Sequence, residues 1–176
     1  MGKIIFYEDK NFQGRSYECT RDCADLYSHF RHCNSIRIES GNWMVYVWPH
    51  FMGYQYFLHQ GEYADYQWWM GFNDFVRSCR MIPQVSPPLL LTNANLTVCL
   101  IYKSFSITDS CDVYSLHDRF HYNDIHSCNV QDGYWIFYEH PNYRGRQNLL
   151  RPGKYRRYSD WCAMSSRVSS IRCITL

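Results

Sequence analysis

The feature that most constrains the fold is an internal repeat. Residues 61–69, GEYADYQWW, and residues 153–161, GKYRRYSDW, both fit the pattern G-x-Y-x-x-Y-x-x-W, and Trp161 lies 92 residues after Trp69. Other residues recur at the same offset, among them Gly41 and Gly133, Trp43 and Trp135, and Ser78 and Ser170. The second half of the 176-residue chain therefore copies the first, which predicts two small domains.

Each half is itself doubled. The pattern Y-x-x-x-x-F-x-G occupies residues 7–14 and 46–53, and residues 138–145 repeat it with Tyr in place of Phe. An alternating, strand-like stretch precedes each copy, and we expect the glycine to take a positive φ at a hairpin tip. The residues that define these hairpins are Tyr7, Phe12 and Gly14; Tyr46, Phe51 and Gly53; and Tyr138, Tyr143 and Gly145.

A serine follows each hairpin, before another strand-like stretch such as SIRIE. The sequence predicts that its hydroxyl bonds the backbone of the folded hairpin. These serines are Ser35, Ser78 and Ser170. Short strands joined by turns, with almost no helical periodicity, predict an all-β fold of antiparallel sandwiches.

Composition argues against nucleic-acid-binding and membrane-binding functions. Aromatic residues make up 18% of the chain, and the formal net charge of +2 is too weak to indicate nucleic acid or an anionic membrane. The stretch RPGKYRR at 151–157 leaves a nucleic-acid patch open, but its counterpart GEYADY at 61–66 is acidic. This difference favours shared aromatics that pack and variable charges on a solvated face. No run reaches the length of a membrane span, which favours a soluble, intracellular protein with reduced thiols.

Four segments of the chain resemble the βγ-crystallins of the vertebrate lens, and γ-crystallins in particular. They are GKIIFYEDKNFQGRSYEC, GEYADYQWWMGFNDFVRSCR, HSCNVQDGYWIFYEHPNYRGRQ and RYSDW. The resemblance covers nearly the whole chain. It implies two βγ-crystallin domains, each a sandwich of two Greek-key motifs. The implied N-terminal domain is 1–83, with motifs 2–40 and 41–83. A linker at 84–88 leads to the domain 89–176, with motifs 89–131 and 132–174. The family's buried tryptophans map onto Trp43, Trp69, Trp135 and Trp161.

The same resemblance implies a function. It is that of a refractive structural protein, highly concentrated in the cytoplasm of lens fibre cells, without a cofactor, nucleic-acid partner or membrane. It further implies a monomer whose domains pair within one chain and which meets other crystallins through weak, short-range contacts. The alternative is a calcium- or ligand-binding βγ module outside the lens.

The third motif departs from the pattern. Tyr102 is followed five residues later by Ile107 and seven residues later by Asp109, so the second aromatic and the glycine are missing. At the 92-residue offset, Tyr7, Phe12 and Gly14 fall on Cys99, Ser104 and Ser106, whereas Ser127 matches Ser35. We therefore expect an altered or disordered first hairpin in the second domain, and a second domain less stable than the first.

Metal sites are the main competing chemistry. The family's calcium stretch is matched most nearly by Asn73, Asp74, Arg77 and Ser78, but Arg77 stands where an oxygen ligand belongs, and residues 165–170 lack the first two ligands. We judge the stretch inactive. Zinc would need Cys19, Cys23, His32 and Cys33, whose spacing is only loosely metal-like. The resemblance instead implies that Cys19, Cys23 and Cys79 are free thiols, able to react when exposed.

Catalysis has little support in the sequence. His117, Asp118 and His121, with Cys111 or Cys128, supply the parts of a cysteine–histidine pair. They lie in a segment that the family uses as an ordinary surface or hairpin support. The chain contains neither GxSxG nor HExxH, and no glycine-rich phosphate loop, so the sequence predicts that it is not an enzyme.

Overall fold

The computed structural model describes residues 1–83, 95–100, 103–108 and 112–174. Contacts between Cα atoms divide the chain into two units, Met1–Gln84 and Val85–Leu176. The expected linker, 84–88, lies outside the described residues. Both units are built from antiparallel strands, and the prediction of an all-β fold is confirmed.

The first unit contains two sheets. Its strands are β1 (Lys3–Tyr7), β2 (Ser16–Cys19), β3 (Ser35–Ser40), β4 (Asn42–Trp48), β5 (Met52–Leu58), β6 (Gly61–Tyr63) and β7 (Ser78–Ile82). One sheet has the order β2-β1-β3-β6, and in the other β4 pairs with both β5 and β7. Strand β6 of the second motif pairs with β3 in the first sheet. Cys23 of the first motif forms an antiparallel β-bridge with Cys79 of β7. This exchange makes each motif a Greek key.

The second unit repeats this arrangement. Its strands are β8 (Asn95–Cys99), β9 (Ser104–Thr108), β10 (Ser127–Asp132), β11 (Tyr134–His140), β12 (Arg144–Leu150), β13 (Gly153–Tyr155) and β14 (Ser170–Ile174). One sheet has the order β13-β10-β8-β9, and in the other β11 pairs with β12 and β14. A bridge between Val113 and Ile171 corresponds to the Cys23–Cys79 bridge of the first unit.

The core of each unit follows from strand alternation. In β1 and β8 every second side chain is buried, as expected for strands with one face on a core. The four expected tryptophans, Trp43, Trp69, Trp135 and Trp161, are all at least 97% buried. The indole nitrogens of Trp43 and Trp135 donate to the carbonyl oxygens of Ser40 and Asp132, both at 3.1 Å, so neither polar atom is buried without a partner.

The periodicity of the sequence does not predict the short helices. Among the described residues, 3-10 helices span Lys10–Phe12, Tyr66–Trp69 and Tyr158–Trp161, and an α-helix, α1, spans Leu116–Phe120. Within CADLYSHF, residues 23–30, the amides of His29 and Phe30 donate to the carbonyl oxygen of Leu26, which closes one turn. Helix α1 is too short to show a helical period, and packing of Leu116 and capping by Ser115 position it instead.

The third motif has an altered first hairpin. Strands β8 and β9 pair from Asn95↔Thr108 to Cys99↔Ser104, so residues 100–103 join them. In the first motif Tyr7 pairs with Ser16, and residues 8–15 make the connection. Because the connection is four residues shorter, Ser104 corresponds to Ser16 by strand pairing, although it falls on Phe12 at the 92-residue offset.

The altered hairpin still supplies core side chains. Ile107 on β9 is 1% exposed, and Phe105 packs against the core with its ring centroid 4.5 Å from that of Phe120. In the first unit the corresponding Phe30 pairs with Phe6 on β1 instead. The second unit thus replaces one aromatic contact by another. Its lower stability relative to the first unit stays a prediction.

Candidate functional site

Three folded hairpins, residues 7–14, 46–53 and 138–145, are the most regular feature of the molecule. In each, the first aromatic ring meets the second edge-on. The ring centroids lie 5.7 Å apart for Tyr7 and Phe12, 5.6 Å for Tyr46 and Phe51, and 5.5 Å for Tyr138 and Tyr143. Edge-to-face pairs at this separation attract through the ring quadrupoles in addition to burying apolar area.

The backbone of each hairpin is more constrained than the sequence indicates. The glycines have the expected positive φ, near 79° at Gly14 and Gly53 and 78° at Gly145. The second aromatic of each hairpin and the residue before it also have positive φ, as at Asn142 (59°) and Tyr143 (60°). Side chains other than glycine adopt this region at a cost of about 1–2 kcal/mol each. Other contacts must therefore hold the turn closed.

The motif serines supply those contacts. Ser35 Oγ donates to the carbonyl oxygen of Asp9 at 2.6 Å and accepts from the amide of Phe12 at 2.9 Å. The other two serines repeat this pair of bonds. Ser78 bonds Trp48 and Phe51 at 2.7 and 3.0 Å, and Ser170 bonds His140 and Tyr143 at 2.7 and 3.0 Å. All three serines are fully buried. Ser127 of the third motif is half-buried at the start of β10, opposite Cys99.

An arginine covers each folded hairpin, which the sequence analysis missed. Its guanidinium carbon lies 4.5 Å from the ring centroid of Phe12 for Arg37, 3.9 Å from that of Phe51 for Arg80, and 4.0 Å from that of Tyr143 for Arg172. The signal was available as S-x-R at 35–37, 78–80 and 170–172. The third motif reads S-C-N at 127–129, so it lacks the arginine as well as the second aromatic.

Replacing Arg80 with glutamine should lower the free energy of unfolding by about 0.5–2 kcal/mol, the range for cation–π contacts from exposed to desolvated. Urea unfolding followed by tryptophan fluorescence measures the change. The matched control is Arg156→Gln, because Arg156 is exposed and should change stability by less than about 0.5 kcal/mol. Equal effects of the two substitutions would contradict a role for the stacked guanidinium.

The two G-x-Y-x-x-Y-x-x-W stretches form corners. Tyr63 donates its hydroxyl to the carbonyl oxygen of His59 at 3.0 Å. Tyr155 donates to the carbonyl oxygen of Arg151 at 2.8 Å and accepts from the amide of the same residue at 2.9 Å. Burial raises the pKa of both phenols. Each tyrosine thereby anchors the strand that leads into the helix carrying the buried tryptophan.

Two charges within the first corner form ion pairs, which the sequence did not indicate. Glu62 Oε1 accepts from Arg37 Nε at 2.9 Å, and Asp65 Oδ2 lies 3.0 Å from Lys10 Nζ. The hydrogen bond from Lys10 lowers the pKa of Asp65. These exposed pairs contribute little stability, but they orient the corner against the first motif.

At the calcium-like stretch, a side-chain cation takes the place of an oxygen ligand. Arg77 donates to the carbonyl oxygen of Arg31 at 2.7 Å, and its guanidinium lies 4.9 Å from the ring of Tyr27. Asp74 Oδ2 lies 3.0 Å from Nδ1 of His32. The side chain of Asn73 accepts from the amide of Phe75 at 3.0 Å. The oxygen atoms that a calcium ion would need are thus engaged within the protein.

The three candidate thiols lie together but differ in exposure. Cys19 and Cys79 are buried, and Cys23 is partly exposed. A hydrogen bond from the Cys79 thiol lowers the pKa of Cys19, and the same bond, together with burial, raises the pKa of Cys79. Among the described cysteines, the one classed as exposed is Cys162, which the sequence did not indicate. In the part of the chain that the structure describes, no group of three His, Cys, Asp or Glu side chains is placed to hold a metal ion.

Iodoacetamide at pH 8 should label Cys162 much faster than Cys128 in the folded chain, because the thiolate reacts and must be accessible. Cys162 is exposed, whereas Cys128 is buried and burial raises its pKa to about 12. Peptide mass spectrometry after timed labelling measures both sites, with denatured chain as the control in which they react alike. Similar rates in the folded chain would contradict the burial of Cys128.

Alkaline pH should lower the free energy of unfolding through the Cys128 thiol. The Cys128 thiol of the folded chain keeps its proton up to about pH 12, whereas an exposed thiol releases it near 9.0. The unfolded state therefore binds fewer protons in this window, so the free energy of unfolding is unaffected below pH 9 and falls as the pH rises towards 12. Urea unfolding across this range measures the fall, which should be shallower in Cys128→Ala.

The comparisons with known proteins agree with this geometry. The Beta/Gamma crystallin family model matches residues 3–82 and 103–174. The chain belongs to the βγ-crystallin family. The stretch between the two matched ranges contains the beginning of the unusual third motif.

The γ-crystallins are similar to this βγ-crystallin over its whole length. Gamma-crystallin S-1 of Chiloscyllium indicum is 59% identical, covering 99% of each chain. Gamma-crystallin M2 of the same organism is 54% identical, covering 99% of this chain and 97% of its own. Gamma-crystallin B of Canis lupus familiaris is also 54% identical, covering 98% and 97%. A solved beta gamma crystallin from Ciona intestinalis is 35% identical over 46% of this chain, with a TM-score of 0.44.

Of the described catalytic candidates, the histidines and the thiol differ in exposure. His117 and His121 are exposed, and their ring centroids lie 6.3 Å apart. Cys128 is buried in the core of the second unit, where its raised pKa keeps the thiol protonated. Cys111 lies outside the described residues. The relatives are named γ-crystallins.

Proposed function

We propose that this γ-crystallin is a structural constituent of the eye lens, a soluble refractive protein that maintains transparency at high concentration. The observation that carries the proposal is similarity along the whole chain, with 59% identity to a γ-crystallin at 99% coverage of both chains. The three folded hairpins, with their serines and arginines, support the same role, because a protein kept at high concentration for long periods needs a fold that rarely opens.

The composition suits a refractive protein. Aromatic residues make up 18% of the chain, and their π-systems, like the guanidinium of arginine, are more polarisable than aliphatic groups of similar mass. In the folded hairpins the arginines lie on aromatic faces, which places polarisable groups in contact without leaving apolar rings uncovered. Solubility is thereby combined with a high aromatic content.

The finer parts of the proposal concern the cellular setting. We infer a non-enzymatic, cytoplasmic protein of lens fibre cells, a monomer that meets other crystallins through weak, short-range contacts. None of the described helices is both long and apolar enough to cross a membrane. The alternative, a calcium-binding module outside the lens, is less well supported, because Arg77 and the Asp74–His32 pair occupy the calcium-like stretch.

Quantitative mass spectrometry of the soluble lens fraction against other tissues tests the proposal. We expect the chain among the bulk proteins of the lens and scarce elsewhere. Trace amounts in the lens, with higher levels in another tissue, would overturn the refractive role. A calcium titration by calorimetry is the companion measurement, and micromolar affinity would favour the alternative.

A further inference from the structure

Two exposed histidines outside the folded hairpins lie in helix α1 and at the residue that follows it. His117 lies in the helix and His121 caps its C-terminal end, four residues later. Both side chains are exposed, and their ring centroids lie 6.3 Å apart with the ring planes at 85°. His121 has a left-handed backbone conformation (φ 63°), so the end of the helix, rather than a continuous helical turn, places its ring near that of His117. Two imidazoles four residues apart can present two nitrogens to one metal ion, as a histidine pair within a helix does.

The backbone that carries the two rings is fixed by the core of the second unit. Leu116 is fully buried, and its amide donates to the carbonyl oxygen of Ser169 at 2.8 Å. Ser115 caps the helix by accepting from the amide of Asp118 at 3.2 Å. The amide of His121 donates to the carbonyl oxygen of His117 at 2.7 Å. The backbone positions of the two histidines are therefore set before any ligand arrives, so that only side-chain rotations contribute to the entropic cost of chelation.

The spacing of the rings suits a shared metal ion. With metal–nitrogen bonds of about 2.0–2.1 Å and a tetrahedral angle, two imidazole centroids would lie roughly 5 Å apart. Rotation of the two exposed side chains can bring the ring centroids from the observed 6.3 Å to this separation. Nδ1 of His117 also lies 3.8 Å from Oδ1 of Asp118. A carboxylate on that side of the ring favours Nε2 as the metal ligand and adds negative charge beside the cation.

We propose that His117 and His121 form a two-point binding site for a divalent transition-metal ion of the nickel, copper and zinc class, for which imidazole is a suitable ligand. Water completes the coordination, since no third His, Cys, Asp or Glu among the described residues joins the pair in a metal-holding group. The site is therefore open and of modest affinity, and it is independent of the refractive role.

Other histidines of the described chain are engaged differently. The ring of His29 stacks on Tyr17 at a centroid distance of 3.6 Å, and Nδ1 of His32 faces Asp74 at 3.0 Å. His126 is exposed in the same unit as the proposed site. It provides a control position, because its substitution removes an exposed imidazole without removing either member of the pair.

Isothermal titration of the full-length chain with NiCl2 at pH 7.5, in a reductant that does not chelate metals, tests the proposal. We expect one ion per chain, and at least about tenfold weaker binding in either His117→Gln or His121→Gln, because each leaves a single ligand without the chelate gain. His126→Gln should bind as the unmodified chain does. Binding should also weaken as the pH falls, since protons compete with the metal ion for the imidazole nitrogens.

Two results would overturn the proposal. One is unchanged nickel affinity in both His117→Gln and His121→Gln, which would assign the binding to other groups, such as the thiols. The other is an unmodified chain that binds nickel no better than a variant carrying both His117→Gln and His121→Gln. Both substitutions replace exposed side chains, so unfolding of the variants does not confuse the outcome, and their urea midpoints should match that of the unmodified chain.

Discussion

Replacing Trp69 with alanine should lower the free energy of unfolding by about 3–5 kcal/mol, the range for buried large aromatics. The indole is 3% exposed and belongs to the core cluster of the first unit. It lies at the end of the 3-10 helix Tyr66–Trp69, where Asp65 caps the chain by accepting from the amide of Gln67. Its removal leaves a cavity that the rigid corner cannot close, so the loss combines transfer and cavity terms.

The neighbouring residue gives a matched control for this change. Trp68 is the same residue type in the same helix, but 64% of its surface is exposed. Trp68→Ala should therefore change stability by less than about 0.5 kcal/mol, as for most surface substitutions. Equilibrium urea unfolding followed by circular dichroism measures both variants without depending on indole fluorescence. If Trp68→Ala proved as damaging as Trp69→Ala, the division between core and surface at this corner would be wrong.

Much of the fold could be predicted because the repeats in the sequence identify residues with the same structural role in both halves. The 92-residue offset and the hairpin pattern identify residues that two parts of the chain need for the same packing, such as Trp69 and Trp161. The glycines at 14, 53 and 145 indicated positive φ because other residues adopt it at a cost. These signals are local, so they can be detected without knowing which strands meet.

The parts that could not be predicted depend on contacts between distant segments. Arg80 covers Phe51, which lies 29 positions earlier in the chain, and only the folded sheet shows that the two meet. In the third motif, a constant offset assigned Ser104 to the place of Phe12, whereas strand pairing shows that the connection is four residues shorter. Register is decided by pairing and burial across strands, and a sequence offset cannot detect a deletion balanced by a later insertion.

Replacing Ser170 with alanine should lower the free energy of unfolding by about 2–3 kcal/mol, although it removes one oxygen atom. The hydroxyl is fully buried, donates to the carbonyl oxygen of His140 at 2.7 Å and accepts from the amide of Tyr143 at 3.0 Å. Each buried partner left unsatisfied costs about 1–3 kcal/mol, with the lower values where water can reach it. The strained turn at Asn142 and Tyr143 also loses the bonds that hold it closed.

The serine acts on one hairpin, so its loss should be visible there before the unit unfolds. Hydrogen exchange of the Tyr143 amide should quicken in Ser170→Ala, while the amide of Ile171, which donates to Val113 in the second unit, should keep its protection. Ser159→Ala is the matched control, because Ser159 is exposed and should change neither stability nor exchange at Tyr143. A loss below about 0.5 kcal/mol with unchanged exchange at Tyr143 would show that the paired aromatic rings alone hold the hairpin closed.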